Sequence, residues 1–224
     1  MSRPRRDSEI LPATTRMENA FWELLRAQEY RRITVTDIVR EAGVNRNSFY
    51  YHYSGLPELA DAAILHEVER TPLVEVPAPD QENLKHQWGA RAKELISAPE
   101  QRQRLDRLAL VAGSHSSPEL LDSLCDFGRM TISSMLQLDT EHLDLKTDLM
   151  LDFAVGGLLS VLRRWPTLSE TIAVEDLLNE DIAVLAMGMY LSMSKADMLD
   201  YWNQVFSNTV LAQPPDAADS NEVR

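Results

Sequence analysis

The stretch that decides the fold is ITVTDIVREAGVNRNSFYYHYSGLPEL, residues Ile33 to Leu59. Thr34 and Asp37 have the spacing of a capping box, in which a hydroxyl and a carboxylate satisfy free backbone N–H groups at a helix start. Gly43 can adopt the left-handed conformation that ends a helix in a tight turn. The sequence therefore predicts a short helix that begins after Thr34 and ends near Gly43.

A second short helix is predicted directly after this turn. Asn45 is a favourable N-cap, and Val44 and Phe49 have the spacing of a hydrophobic staple. Two short helices joined by a glycine turn have the geometry of a helix-turn-helix, whose second helix enters the major groove of DNA. We predict a helix-turn-helix over about residues 33–52, with Phe49 and Tyr53 in its core.

The side chains around this turn suit contacts with DNA. Arginine pairs with guanine and asparagine with adenine, so Arg46 and Asn47 are the candidate base contacts. Tyrosine, histidine and threonine side chains bond phosphates, as do the free N–H groups at a helix start. The predicted DNA-binding residues are Thr34, Thr36, Asn45, Arg46, Asn47, Ser48, Tyr50, Tyr51 and His52.

The same run resembles the DNA-binding signature of the TetR/AcrR regulators, in which Thr-x-x-Asp-Ile, Ala-Gly-Val and Tyr-x-x-Phe/Tyr recur with this spacing. The resemblance covers about residues 14–69. It implies an all-helical C-terminal part, a homodimer held by a four-helix interface, and a small molecule that changes the separation of the two DNA-binding domains. Leu56 departs from the family pattern, which usually has a phosphate-contacting lysine there.

Composition favours an all-α fold, and the helix-turn-helix together with the resemblance implies an N-terminal three-helix DNA-binding domain followed by a larger helical domain. Glycine is scarce at 8 residues, while helix-forming residues are abundant. The net charge is -13, yet residues 1–56 hold nine arginines against seven acids. This uneven charge distribution suits a protein that presents one end to phosphates.

The single cysteine, Cys125, and the lack of an apolar leader or membrane-length run predict a cytoplasmic protein.

The chain is predicted to divide at its proline-rich and polar segments. A first helix is expected from Thr14 or Thr15 to about Gln28, and later helices near 81–97, 99–112, 118–137, 142–164, 174–192 and 195–210, with Pro99, Pro118 and Pro166 as boundaries. The predicted parts are a flexible basic arm (1–13), the DNA-binding domain (14–56), a connecting helix (57–70), a proline-rich connector (71–80), an effector-binding and dimerisation domain (81–211) and a disordered tail (212–224).

Two late segments, 149–162 and 182–191, are apolar on nearly all sides. Such helices must be covered on more than one side, and pairing with the same helices of a second subunit would cover them. Burial of both inside one monomer is the alternative. The predicted dimer-interface residues are Leu149, Phe153, Gly156, Gly157, Ser160, Val184, Met187 and Leu191.

Aromatic and sulfur-containing side chains of the later helices are candidates for lining an effector cavity. These are Trp88, His115, Phe127, Met130 and Trp165. The competing interpretation is that they are ordinary core residues at helical spacing. The histidines lack the spacing of a metal site, and the sequence has no phosphate-binding glycine loop or nucleophile elbow, so we predict neither an enzyme nor a cofactor.

The sequence thus predicts a transcriptional regulator that binds a palindromic operator in double-stranded DNA as a homodimer, a repressor released by a small-molecule effector. One alternative is a regulator of the same fold without ligand gating, an activator or a protein controlled by a partner, motivated by the predicted helix 195–210. Another is a helical interaction module that does not bind DNA.

Overall fold

The computed structural model describes residues 11–70 and 98–171. Within those ranges the regular elements are helices, and there is no strand. The all-α prediction is therefore confirmed. We call α1 to α4 the head and α5 to α7 the body. The helices are α1 (Ala13–Ala27), α2 (Val35–Ala42), α3 (Arg46–His52), α4 (Leu56–Arg70), α5 (Pro99–Val111), α6 (Pro118–Met135) and α7 (Leu145–Thr171), with one 3-10 turn at Tyr30–Arg32.

The head is built around the apolar face of α1, which packs against α2, α3 and α4. Phe21 and Trp22 are buried on that face and meet edge to face, with ring centroids 5.0 Å apart. Phe49 and Tyr53 are buried in the same cluster, as predicted. The short α3 is thus anchored by aromatic side chains on one side, which leaves its other side at the surface.

The turn between α2 and α3 is fixed by the predicted caps and by α1. The hydroxyl of Thr34 accepts a hydrogen bond from the Asp37 N–H (3.2 Å), and the Asp37 carboxylate accepts one from the Thr34 N–H (3.1 Å). Gly43 has φ of 61°, in the left-handed region. Arg16 of α1 donates to the carbonyl oxygens of Ala42 and Gly43, each at 3.1 Å. The predicted capping box and glycine turn are both confirmed.

Two of the three body helices begin where they were predicted to begin, whereas α7 differs from its predicted bounds at both ends. Pro99 and Pro118 are the first residues of α5 and α6. The prediction that a helix over 142–164 ends before Pro166 is wrong, because α7 begins at Leu145 and continues through Pro166 to Thr171. Its start is set by Asp144, whose carboxylate accepts the Thr147 N–H at 2.8 Å.

Contacts with α5 on both sides of Pro166 explain why α7 continues. A proline inside a helix loses one hydrogen bond and crowds the preceding turn, which destabilises the helix by about 3 kcal/mol. Before the proline, buried Trp165 donates from Nε1 to Asp106 at 2.7 Å. Beyond it, Arg102 donates to the carbonyl oxygen of Ser169 at 2.5 Å. These tertiary contacts hold the last turns in place despite the proline.

Head and body share one core and an ionic contact. The main buried cluster joins the head to Leu108, Val111, Leu120 and Leu124 of the body. A second, smaller cluster consists of Ile132, Leu151 and Val155.

The ionic contact is centred on Arg107 of α5. Arg107 donates to Glu67 of α4 at 2.5 Å and to Asn19 of α1 at 2.7 Å, and its guanidinium lies 5.9 Å from the centre of the Trp22 ring. One body side chain therefore contacts two head helices.

Several predictions fall outside the described residues. These are the helices over 81–97, 174–192 and 195–210, the connector 71–80, most of the arm and the whole tail. Within the described part of the chain, no helix is long and apolar enough to cross a bilayer. The same residues contain no cluster of three or more His, Cys, Asp or Glu side chains suited to a metal ion.

Candidate nucleic-acid interface and body cavity

The N-terminal half of α3 is presented at the surface. The Asn45 side-chain oxygen accepts the Ser48 N–H at 2.7 Å, which confirms Asn45 as the N-cap. Arg46, Asn47 and His52 are exposed, Tyr50 is 49% exposed and Tyr51 is 85% exposed. Apart from half-buried Ser48, the predicted DNA-binding side chains of this helix therefore lie on its solvent side.

Arg46 and Tyr50 form a pair one helical turn apart. The guanidinium of Arg46 lies 5.6 Å from the centre of the Tyr50 ring, and its Nη2 donates to the Tyr50 hydroxyl at 3.4 Å. A cation over an aromatic ring is held by the electrostatic field of the ring. The arginine is therefore partly ordered before any contact with DNA, which reduces the entropy lost on binding.

The two threonines near the start of α2 differ. The hydroxyl of Thr34 lies 2.6 Å from the Asp37 carboxylate and belongs to the capping box. This hydroxyl, helped by the charge of Arg40, lowers the pKa of Asp37, so the carboxylate is charged at neutral pH. A phosphate near Thr34 would meet that negative charge. The exposed hydroxyl of Thr36 lies outside the capping box.

A second carboxylate that accepts hydrogen bonds at a helix start is that of Glu58, in the first turn of α4. Both the N–H and the hydroxyl of Ser54 donate to Glu58, each at 2.6 Å, and the bond from the hydroxyl contributes most to lowering the pKa of Glu58. Leu56 is half-buried and packs against the main core. This helix end is therefore negatively charged, and its first residue stabilises the head through packing.

The body contains a cavity of about 150 Å³ between α4, α5, α6 and α7. Cys125 and Thr131 supply the side-chain polar atoms among the described lining residues, none of which is charged. Burial, with the nearby charges of Asp122 and Asp126, raises the pKa of Cys125, so the thiol is neutral at pH 7. The described lining residues are Val68, Leu105, Leu108, Leu124, Cys125, Gly128, Thr131, Ile132, Val155, Leu158, Leu159, Val161 and Leu162.

Four of the five predicted effector residues lie in the described part of the chain, and none of these four lines the cavity. His115 lies at the junction with the head, with its Nδ1 3.1 Å from the Leu25 carbonyl oxygen. Trp165 is buried against Asp106, Phe127 packs on the main core and Met130 is 49% exposed.

The remaining candidate, Trp88, lies outside the described residues. Sequence reasoning favoured large aromatic side chains, whereas the cavity is lined by aliphatic residues whose helical spacing is that of any core. No signal in the sequence separates these two kinds of position.

One face of α7 is apolar and exposed. Leu149 is 58% and Phe153 is 66% exposed, and Gly156, Gly157 and Ser160 continue the same face toward the C-terminus. A Cβ added at either glycine would meet no atom within 4 Å. The other predicted interface residues, Val184, Met187 and Leu191, lie outside the described residues.

The sequence of the head matches a known family of proteins. Residues 19–63 match a family model described as bacterial regulatory proteins, tetR family. A crystal structure of a tetR-family transcriptional regulator from Streptomyces coelicolor is 16% identical, with a TM-score of 0.46 over 91% of this chain and 93% of that chain. No curated protein sequence matches the chain. The segment matched by the family model runs from within α1 to within α4 and contains the entire helix-turn-helix.

Proposed function

The N-terminal domain of this chain belongs to the tetR family of bacterial regulatory proteins, and on that premise we propose a cytoplasmic transcriptional repressor that binds a palindromic operator as a homodimer and is released by a small molecule. DNA binding is assigned to residues 14–56, and effector binding and dimerisation to residues 81–211. The observation that carries the proposal is the exposed start of α3, where Arg46 is held over Tyr50.

In this proposal α3 reads the major groove. Arg46 and Asn47 contact base edges, while Tyr50, Tyr51 and His52 contact phosphates that fix the register. Two kinds of group at the helix starts complete the interface. Thr34 and Thr36 at the start of α2 contact the DNA backbone, Thr36 more strongly because the charged Asp37 carboxylate lies beside the Thr34 hydroxyl. Asn45 and Ser48 hold the first turn of α3 at the angle from which its side chains reach the bases.

The test of DNA binding compares two arginine substitutions. Arg46→Ala should weaken operator binding by roughly 5-fold to 150-fold, because one good base contact contributes about 1–3 kcal/mol. Arg26→Ala removes the same charge from an exposed position of α1, outside the helix-turn-helix, and should leave binding within about 2-fold, because exposed substitutions away from a site have small effects. Fluorescence anisotropy over a range of salt concentrations measures both. Equal affinities for the two variants would contradict the assignment of α3.

Dimerisation is proposed to use the exposed face of α7. Leu149, Phe153 and the small residues after them would pack against the same face of a second copy, since small residues permit close approach. The two heads would then read half-sites about one helical turn of DNA apart, roughly 34 Å.

The test of dimerisation introduces a charge on that face. Phe153→Glu should give a monomer at micromolar concentrations at which the native chain is a dimer, because a buried unpaired charge destabilises an interface. Met130→Glu makes the same kind of change at a half-exposed position of α6 and should stay dimeric. Light scattering after size-exclusion chromatography distinguishes the outcomes, and a monomeric native chain would contradict the proposal.

Release by a small molecule is supported by where the cavity lies. Val68, which lines it, belongs to α4, and the same helix buries Leu59 and Ile64 in the core of the head. A molecule in the cavity therefore contacts the helix on which the head packs. It would shift the spacing of the heads only to the extent that it binds the released arrangement more tightly.

A further inference from the structure

The cavity lies where the two apolar clusters of residues 11–70 and 98–171 meet. Leu108 and Leu124 belong to the main cluster, Ile132 and Val155 to the smaller one, and all four line the cavity. A cavity of this size lined by Leu, Ile and Phe in another protein stays dry and binds benzene. The volume of about 150 Å³ is therefore enough for a small aromatic hydrocarbon.

The described lining offers little to a polar ligand. A threonine hydroxyl in a helix can bond to the carbonyl of its own preceding turn, and a thiol is a weak hydrogen-bonding group, so Thr131 and Cys125 give no strong partner. A charged ligand would lose its hydration without gaining an opposite charge, which costs several kcal/mol. The lining therefore selects against ions and favours molecules without hydrogen-bonding groups.

We propose that this cavity binds a neutral, hydrocarbon-like molecule of about benzene or toluene size, roughly six to eight non-hydrogen atoms, and that a molecule of this class is the effector. The effector role rests on the proposed function, whereas binding of the molecule to the cavity does not. The ligand contacts Val68 on α4 and the aliphatic side chains of α5 to α7.

The lone cysteine gives a direct measure of occupancy. Cys125 lines the cavity and is the only cysteine of the chain, so a thiol reagent reports on this position alone. Benzene or toluene at millimolar concentration should slow modification of Cys125 by methyl methanethiosulfonate at least 3-fold, followed by intact mass, and should raise the melting temperature by mass action.

Charged analogues of toluene serve as the control ligands. Benzoate and benzylammonium have rings of the same size and should neither protect Cys125 nor raise the melting temperature. Protection by benzoate as strong as that by toluene would overturn the proposed ligand class. Absence of protection and of any thermal shift with benzene and toluene would overturn the site.

Two substitutions separate filling of the cavity from loss of a polar group. Val155→Phe adds volume at the lining and should abolish the thermal shift caused by toluene, whereas Thr131→Val removes the hydroxyl at nearly constant volume and should retain it. If Val155→Phe does not fold, Leu158→Phe makes the same test at a position that is 50% exposed and tolerates added volume. A shift unchanged by filling would place the ligand elsewhere.

Fluorescence anisotropy with operator DNA in the presence of toluene distinguishes binding to the cavity from control of DNA binding. Protection of Cys125 together with toluene-dependent release from operator DNA supports both clauses. Protection without any change in operator affinity leaves the binding site standing and contradicts the effector role. Release from DNA without protection of Cys125 overturns the assignment of this cavity.

Discussion

The head and the body place their functional groups in different ways. In the head, the candidate contacts lie on two short helices whose starts are fixed by residues three apart, Thr34 with Asp37 and Asn45 with Ser48. The cavity, in contrast, is formed by α4 of the head and the three body helices, and its described lining runs from Val68 to Leu162. The first kind of site depends on local sequence and the second on how helices pack. Substitutions that change either the local turn or the packing between helices test this difference.

The largest effect is expected where head and body meet. Arg107→Met removes the 2.5 Å ion pair of the Glu67 carboxylate, which is 9% exposed, and keeps its ion pair with Arg104 at 3.9 Å. Breaking a buried ion pair costs about 3–5 kcal/mol, and this partner that remains reduces the expected loss of unfolding free energy to about 3 kcal/mol. Urea unfolding followed by circular dichroism measures it.

The control for Arg107 is an exposed pair within the head. Arg26 and Glu23 are 3.0 Å apart with side chains 51% and 55% exposed, so Arg26→Met should cost less than about 1 kcal/mol. If both substitutions cost the same, the contact at the junction contributes no more than a surface ion pair, and head and body are held together by their shared apolar core alone.

Alanine at Gly43 tests the turn of the head. A residue with a Cβ in the left-handed conformation costs about 1–2 kcal/mol, and Gly43 has φ of 61°. Gly43→Ala should therefore lower the unfolding free energy by about that amount and weaken operator binding, because α3 loses its fixed angle to α2. Chemical unfolding and anisotropy measure the two effects, and an unchanged stability would contradict the requirement for glycine.

A glycine-to-alanine substitution in the body should have the opposite effect on the free energy of unfolding. Gly128 lies inside α6, and a Cβ there would meet the Val155 methyl groups at 3.7 Å, an ordinary contact. Alanine is favoured over glycine in a helix interior by about 1 kcal/mol. Gly128→Ala should raise the unfolding free energy by about 0.5–1 kcal/mol without changing operator affinity in the absence of ligand. A destabilised protein would mean that the cavity wall cannot accept one methyl group.

The sequence predicted those features whose physics is local. Thr34, Gly43 and Asn45 act on backbone groups a few residues away, so their spacing alone identified the turn. The continuation of α7 past Pro166 was not predictable in this way, because Trp165 and Arg102 hold the turns on either side of the proline through contacts between α7 and α5. The cavity was missed for the same reason, since residues such as Leu108 and Val155 are indistinguishable from core residues until the helices are packed.

Leu56 is where the head departs from the TetR/AcrR pattern that it resembles, and placing a cation there should have the smallest effect. The side chain packs on the core, and Glu58 supplies a negative charge beside it, so the start of α4 offers a phosphate little attraction. Leu56→Lys should increase operator affinity by about 3-fold to 10-fold and steepen the salt dependence by about one charge. The same substitution should lower the free energy of unfolding, since the aliphatic stem of lysine covers less of the core than the leucine side chain does.

The control for this gain is Met135→Lys, which adds the same charge at a residue 42% exposed in the body and should leave the salt slope unchanged. Glu58→Gln removes the neighbouring carboxylate and should add to the effect of Leu56→Lys if a phosphate approaches this helix end. Should all three variants bind like the native chain, α4 does not face the duplex, and the head contacts DNA through α2 and α3 alone.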